Sequence, residues 1–336
     1  MTYFRPISMT DAARPAGAMP LAGGWCWFDR VEVLERGRAP AVIAASEVPG
    51  DVRGRLTAPR AAVAGLALDR PRLMGILNVT PDSFSDGGRF LEPEAAQAQA
   101  RLMAGAGADI IDVGGESTRP GAVLVAEDKE RARTAPVIAA LRAAGITARL
   151  SVDTRKAGVA VAALAAGADM LNDVSALTFD AGMAGVAVGS GAPICLMHAQ
   201  GTPQDMQADP RYGDVLLDVY DFLEERIATA VAAGIARERI IVDPGIGFGK
   251  TLAHNLTLIR GLSLFHGLGC GVLLGVSRKK FIGTIGGEDQ ATRRAPGSLA
   301  VALAGVAQGA QIVRVHDVWE TRQALALWRS VTGDGA

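Results

Sequence analysis

Residues 104–113 read AGAGADIIDV: an alanine and glycine approach, one acid, then a short apolar run. The signal returns at 165–174 as AAGADMLNDV and at 307–315 as AQGAQIVRV. Each marks the end of a helical segment, a glycine suited to the turn that follows it, and a run of strand length. Working outward, apolar runs recur from residue 72: RLMGILNV, ADIIDVGG, ARLSVD, ADMLND, APICLMH, RIIVDPG, GVLLGVS and AQIVRVH. Between them lie longer amphipathic segments such as EPEAAQAQARLMAGAG, VLLDVYDFLEERIATAVAAG and APGSLAVALAGVAQGA. Strands alternating with helices predict parallel β/α units. Eight units over 72–332 predict an α/β fold, a (β/α)8 TIM barrel, which typically needs about 250 residues. An open doubly wound sheet is the structural alternative.

Residues 1–71 have a different texture, with Pro and Gly interruptions, the aromatic stretch WCWFDRVEV and the Ala-rich AAVAGLALDRP. The first of these alternates enough to suggest a short strand or hairpin. The region reads as an N-terminal extension that packs on the barrel of 72–332. The whole chain, 336 residues with 49% hydrophobic and 21% charged, has material for a large core. A formal net charge of −1 gives no bulk attraction to nucleic acid, so anion binding must come from local clusters. No apolar run reaches the roughly 20 residues of a membrane span, and the first residues lack a secretory apolar core. The scattered Cys26, Cys195 and Cys270 have no metal-type spacing; Cys195 and Cys270, in or beside apolar runs, are expected to be buried free thiols, and a reducing, cytoplasmic setting is expected.

In such a barrel the active site lies at the C-terminal strand ends. Polar residues gather there: Asn78, the GGESTRPG segment, Asp153, Asn172, His198, Asp243, Ser277-Arg278-Lys279, and Arg314 with His316. Strand period two points Arg314 and His316 to one side. Carboxylates and an amide suit the donor and acceptor edge of a planar heterocycle, while Arg119, Arg314 and His316, with Arg278 as a further candidate, suit phosphate. DPGIGFGKT looks like a phosphate-cradling P-loop, but position 244 is Pro where that motif needs Gly. Its glycines more simply allow a tight turn that brings Phe248 over the site, or into the core. No nucleophilic triad is convincing: Ser277 has no obvious base, and a structural or a catalytic His198 fits equally well.

Taken together, these residues resemble dihydropteroate synthase. The carrying motifs are GILNVTPDSFSDGG at 75–88, GGESTRPGA, SVDTRK, NDVS, MHAQGTPQDMQ, DPGIGFGKT, GVSRKKFIG and RVHDV, in order over 72–332. The family joins 6-hydroxymethyl-7,8-dihydropterin diphosphate to p-aminobenzoate, a step in folate synthesis that releases diphosphate. The resemblance implies pterin binding by Asp153, Asn172, Met197, Asp243 and Lys279. It implies diphosphate binding by Asn78, Thr118, Arg119, Arg314 and His316, with Mg2+ as cofactor at Asn78. For p-aminobenzoate it implies Phe84, Thr118, Pro120, Phe248 and Lys279. Asp153, Lys279, Arg314 and His316 are the expected catalytic groups, and loops 79–88 and 115–121 are expected to order over the diphosphate. The implied partners are the two small substrates and a second copy in a homodimer, with neither nucleic acid nor membrane. A pterin-dependent methyltransferase and a non-catalytic pterin-binding paralogue are the alternatives. The departure from the pattern is Ala199, where many members carry a larger apolar residue.

Overall fold

The computed structural model of the chain describes residues 1–80, 92–117 and 121–332. Eight parallel strands form where the apolar runs predict them: β1 (Arg72–Asn78), β2 (Ile110–Gly114), β3 (Arg149–Asp153), β4 (Met170–Asp173), β5 (Ile194–Met197), β6 (Ile240–Asp243), β7 (Gly271–Leu274) and β8 (Ile312–Val315). They pair in sequence order, and β8 returns to β1 with Val313 beside Leu73. The sheet is a closed barrel, which excludes the open alternative.

The strand period divides the apolar residues into two cores. Leu73, Ile111, Val113, Leu150, Val152, Leu196 and Val242 point outward and pack beneath the helices. Met74, Ile110, Met170, Cys195, Ile241, Leu273 and Ile312 point inward and fill the lower barrel. Val63 and Leu68, from the Ala-rich stretch before β1, complete that inner cluster. They are brought there by a tight turn in which Val63 and Leu66 exchange backbone hydrogen bonds of 2.9 and 2.8 Å. Its central residues, Ala64 and Gly65, have φ of 49° and 80°, as a type I′ turn requires. The stretch that shows no period in sequence is therefore the plug of the barrel's N-terminal end.

The rest of the extension packs on the helical shell. Its strands Thr2–Pro6, Arg30–Glu35 and Ala41–Ala44 form an antiparallel sheet, while Met19–Pro20 and Trp27–Phe28 pair separately. WCWFDRVEV thus contributes short strands to two sheets, with Asp29 at the break, and the second strand forms an antiparallel hairpin with Ala41–Ala44. Tyr3, Trp25, Phe28 and Val31 join the outer core, where each fully buried large side chain contributes about 2–3 kcal/mol. Polar contacts fix the orientation: Trp25 Nε1 donates to Val306 O at 2.8 Å, Ser263 Oγ to Pro6 O at 2.7 Å, and Tyr3 OH to Asp221 at 2.8 Å. All three cysteines are buried and none forms a disulfide. No helix among the described residues is long and apolar enough to cross a membrane.

Candidate active site

The inward alternation that makes the plug turns polar one layer higher. On β2 it runs Ile110, Asp112, Gly114; on β4, Met170 then Asn172; on β6, Ile241 then Asp243; on β8, Ile312 then Arg314. Register places Asn78, Gly114, Asp153 and Asn172 side by side across β1 to β4. Arg314 reaches back across the barrel, with Nε 2.6 Å from Asp112 Oδ2 and Nη2 2.7 Å from Asp153 Oδ2. Asn172 Nδ2 also donates to Asp112 Oδ2, at 3.0 Å.

Asp112, fully buried, is the residue the sequence reading misses. Its signal was a charge at a mid-strand inward position in ADIIDVGG, and ADIIDV appeared merely apolar. Its second oxygen, Oδ1, is sealed from solvent without a hydrogen-bond partner, a costly state for an acceptor unless a ligand donor meets it. Burial pushes the Asp153 carboxyl up to about 7, with Arg314 pulling it down and Asp112 pushing it further up. Burial opposes the charge on Arg314, but the two carboxylates overcome it and hold that guanidinium firmly protonated.

The opposite wall comes from β6, β7 and the turns after them. Burial raises the Asp243 carboxyl, opposed chiefly by Lys279, and Asp243 Oδ1 accepts from Gly245 N at 2.7 Å. Lys279 Nζ donates to Ile246 O and lies 4.4 Å from the Phe248 ring centre. Burial pulls its ammonium down to about 8, with Asp243 raising it and Arg314 lowering it. The glycines of DPGIGFGKT are demanded by this packing. Gly245 has φ 66°, and a Cβ there would fall 1.8 Å from His198 O; one on Gly247 would fall 2.9 Å from Lys279 Cδ. Lys250 meets His198 Nδ1 at 2.8 Å and Phe248 O at 2.9 Å, so it is a structural lysine and the P-loop likeness has no counterpart. His198 packs against Phe222 at 4.8 Å on the same outer side, which decides for its structural reading.

Two glycines shape the space between the walls. A Cβ on Gly114 would sit 3.5 Å from Asn78 Oδ1 and 3.6 Å from Asp153 Cβ; one on Gly275 would sit 3.7 Å from Asp243 Oδ2 and 3.9 Å from Arg314 Cβ. Both positions would otherwise project a side chain into the mouth. Met197, paired with Asp243 in register, is buried and supplies an apolar face.

Toward the outer rim, Ser277 Oγ accepts from His316 N at 3.1 Å and meets His316 Nδ1 at 3.0 Å. Ser277 Oγ engages both the backbone and the Nδ1 side of His316, which leaves the Nε2 edge of the ring as the one not used by this serine. Ser277 is thus paired with a histidine that the sequence reading did not foresee. Arg278 is not a phosphate ligand: both Nε and Nη2 are committed to Asp317, and its φ of 58° turns the chain into Lys279. Phe84, Thr118, Arg119 and Pro120 lie outside the described residues, as do most of the 79–88 loop and the centre of 115–121. The start of the second loop is nonetheless anchored. Glu116 takes Lys156 Nζ and Arg155 Nη2, Lys156 also reaches Glu130, and Arg133 Nη1 donates to Gly115 O at 2.9 Å.

Among the described residues no group of three or more His, Cys, Asp or Glu is placed to hold a metal ion. The amide oxygen Asn78 Oδ1 borders the mouth beside Gly114. That donor fits magnesium, which keeps several waters and takes phosphate oxygens, better than it fits a metal needing a full protein cage.

A closed barrel with buried carboxylates, an amide and a partly buried lysine around two glycine gaps defines an enzyme that holds a flat nitrogen heterocycle at its C-terminal mouth. Residues 74–316 match the family described as pterin binding enzyme. A dihydropteroate synthase of Neisseria meningitidis serogroup C is 48% identical over 269 residues, 79% of this chain and 94% of that protein. A solved dihydropteroate synthase of Xanthomonas albilineans with 4-aminobenzoic acid superposes with TM-score 0.76 at 47% identity, covering 81% of this chain and 98% of the other. The same organism's enzyme in complex with 7,8-dihydropteroate gives TM-score 0.74 at 44% identity over 81% and 98% of the two chains. The chain belongs to the dihydropteroate synthase family of pterin-binding transferases.

Proposed function

We propose that this chain condenses 6-hydroxymethyl-7,8-dihydropterin diphosphate with p-aminobenzoate, giving 7,8-dihydropteroate and diphosphate. The observation that carries the reading is the inner ring of Asp112, Asp153, Asn172, Asp243 and Lys279 around two glycine gaps, with Asp112 Oδ1 buried and unmatched. A pterin offers ring N–H and exocyclic amine donors to such acceptors, and a ring nitrogen and carbonyl to the Asn172 amide and the Lys279 ammonium. Met197 and Phe248 supply apolar contact to the flat ring system.

The reaction fits a dissociative course. The C–O bond breaks with its electron pair passing to the diphosphate, and the electron-rich dihydropterin delocalises the cation left behind. Asp153 is positioned near that developing positive charge, where a carboxylate in a water-poor site stabilises it most strongly. The arylamine lone pair then forms the C–N bond, and the amine gives up a proton. No protein nucleophile is needed, in keeping with a serine and histidine that serve each other. Arg314 Nη1, its nitrogen without a partner among the described residues, and the His316 ring suit the leaving group, and the family resemblance adds Asn78, Thr118 and Arg119. Magnesium held by Asn78 Oδ1 and phosphate oxygens would supply charge neutralisation of the diphosphate. Phe84, Thr118, Pro120, Phe248 and Lys279 are assigned to p-aminobenzoate.

Incubating the chain with both substrates and Mg2+ tests the reading. Diphosphate release that depends on p-aminobenzoate supports it; release indifferent to the arylamine, or none, sinks it. On the family resemblance the active form is a cytoplasmic homodimer. Sedimentation at twice the 34.7 kDa chain mass is the expected result.

A further inference from the structure

At the opposite end of the barrel a pocket of 480 Å³ lies between the N-terminal extension and the starts of β6 and β7. Three arginines line it: Arg55 from the helix Gly50–Thr57, Arg60 from the strap that follows, and Arg237 just before β6. Gly269 stands between two of them; a Cβ there would lie 3.9 Å from both Arg55 Cδ and Arg237 Cδ. The walls are apolar, from Ala58, Pro59, Val63, Leu68 and Ile240. Two acids also line it, Asp51 and Glu238; Asp51 reaches Arg55 at 3.6 Å. The balance is three cations to two carboxylates.

Arg60 is the informative member. Its Nη1 donates to Ala58 O at 3.0 Å and Nη2 to His266 O at 2.9 Å, both uncharged acceptors. Its Nε is sealed from solvent with no hydrogen-bond partner. Burial lowers its pKa to about 10, so it still carries its charge at neutral pH. A charged guanidinium held against an apolar wall without a carboxylate is costly, and an oxyanion in the pocket would supply the missing counter-charge. The pocket volume falls within the range, about 300–1,000 Å³, of small-molecule sites.

We propose that this pocket is a second ligand site, for a small organic oxyanion carrying a carboxylate or phosphate on an apolar body, built jointly by the extension and the barrel floor. The arginines hold the anion and the Val63, Leu68 and Pro59 wall receives the rest. The site is independent of the mouth: none of its residues belongs to the Asp112, Asp153, Asp243 and Lys279 ring.

Calorimetric titration of the full chain with phenyl phosphate, benzoate and inorganic phosphate tests this. The first two share a ring and differ in the anion, and the third lacks the ring. Because the mouth is also suited to aryl anions, the sites are counted. The unaltered chain is expected to bind one more equivalent of phenyl phosphate or benzoate than Arg60→Leu does. It should hold that equivalent at least tenfold more tightly than inorganic phosphate. Arg237→Leu should weaken the extra equivalent by tenfold or more, and Arg60→Lys should retain it. If Arg60→Leu does not fold, the Arg237→Leu and Arg55→Leu chains carry the count. Equal numbers of equivalents in the unaltered chain and the folded variants, or saturation by none of the probes, overturns the proposal.

Discussion

The two ends of the barrel are made by the same eight strands, yet they are opposites in content. At the N-terminal end the inward residues are Met74, Ile110, Met170, Cys195, Ile241, Leu273 and Ile312, sealed by Val63 and Leu68. One layer toward the C-terminal end the inward residues become Asp112, Asp153, Asn172, Asp243 and Arg314, interrupted by Gly114 and Gly275. The difference teaches what each end is for. An apolar layer gains free energy by excluding water, whereas buried carboxylates and a lysine cost free energy unless a partner satisfies them. The lower layer stabilises the fold, whereas the upper layer keeps its carboxylates through Arg314 and backbone partners and leaves Asp112 Oδ1 unmatched.

That contrast can be broken by experiment. The largest expected effect is at the mouth: Lys279→Ala or Asp153→Asn should lower kcat/KM by about 10²–10³-fold, the usual cost of removing a preorganised charged group. Thermal unfolding should stay close to that of the parent chain; near-normal dihydropteroate formation by either variant removes these roles. The complementary result is expected below. Leu68→Ala should cost about 2–4 kcal/mol in denaturant unfolding while leaving kcat/KM for both substrates within twofold. A loss of activity without a loss of stability there would erase the division between the ends.

Asp112→Asn sharpens the comparison, because it tests whether a charge in the middle layer belongs to the site. We expect it to raise KM for the pterin substrate by about tenfold, one hydrogen bond to a charged group being worth roughly 1.5–3 kcal/mol. The KM for p-aminobenzoate should hardly move. The smallest effect is the pH profile. Asp153 must lose its proton to act as a carboxylate, so kcat/KM should rise through about pH 7; Lys279 must keep its proton, so it should fall above about pH 8. Asp153→Asn should abolish the acidic limb of whatever activity remains. The linked stability has a definite sign. Asp153 binds its proton more tightly when folded, so its contribution is present at acid pH and is lost as pH rises toward 7. A flat profile from pH 6 to 9 would contradict both assignments.

Much of the mouth was legible because strand ends announce themselves: Asn78, Asp153, Asn172, Asp243 and Arg314 each follow an apolar run, and period two orients them. His316 sits one step past its strand, and Lys279 lies in the turn that follows the strand ending at Leu274; both were equally readable. Asp112 was not, since a single acid inside IIDV resembles a strand interrupted rather than a strand with an inner face. The pairing of Arg278 with Asp317 was also hidden, because its partner is 39 residues away. For the same reason the Lys156, Glu116 and Glu130 network could not be read: its members lie 26 and 40 residues apart and meet only when β2, β3 and the helix between them pack.

By itself the sequence determined the repeat of strand and helix, the count of eight and the polar residues at the strand ends, because periodicity, helix-ending glycines and turn chemistry act over a few residues. Only the tertiary structure decided that the sheet closes and that Arg314 bridges Asp112 and Asp153. It alone decided that the aperiodic stretch before β1 plugs the floor and brings Arg60 beside Arg237. Those outcomes depend on which distant side chains share one small volume, and burial and electrostatics take their values from that packing.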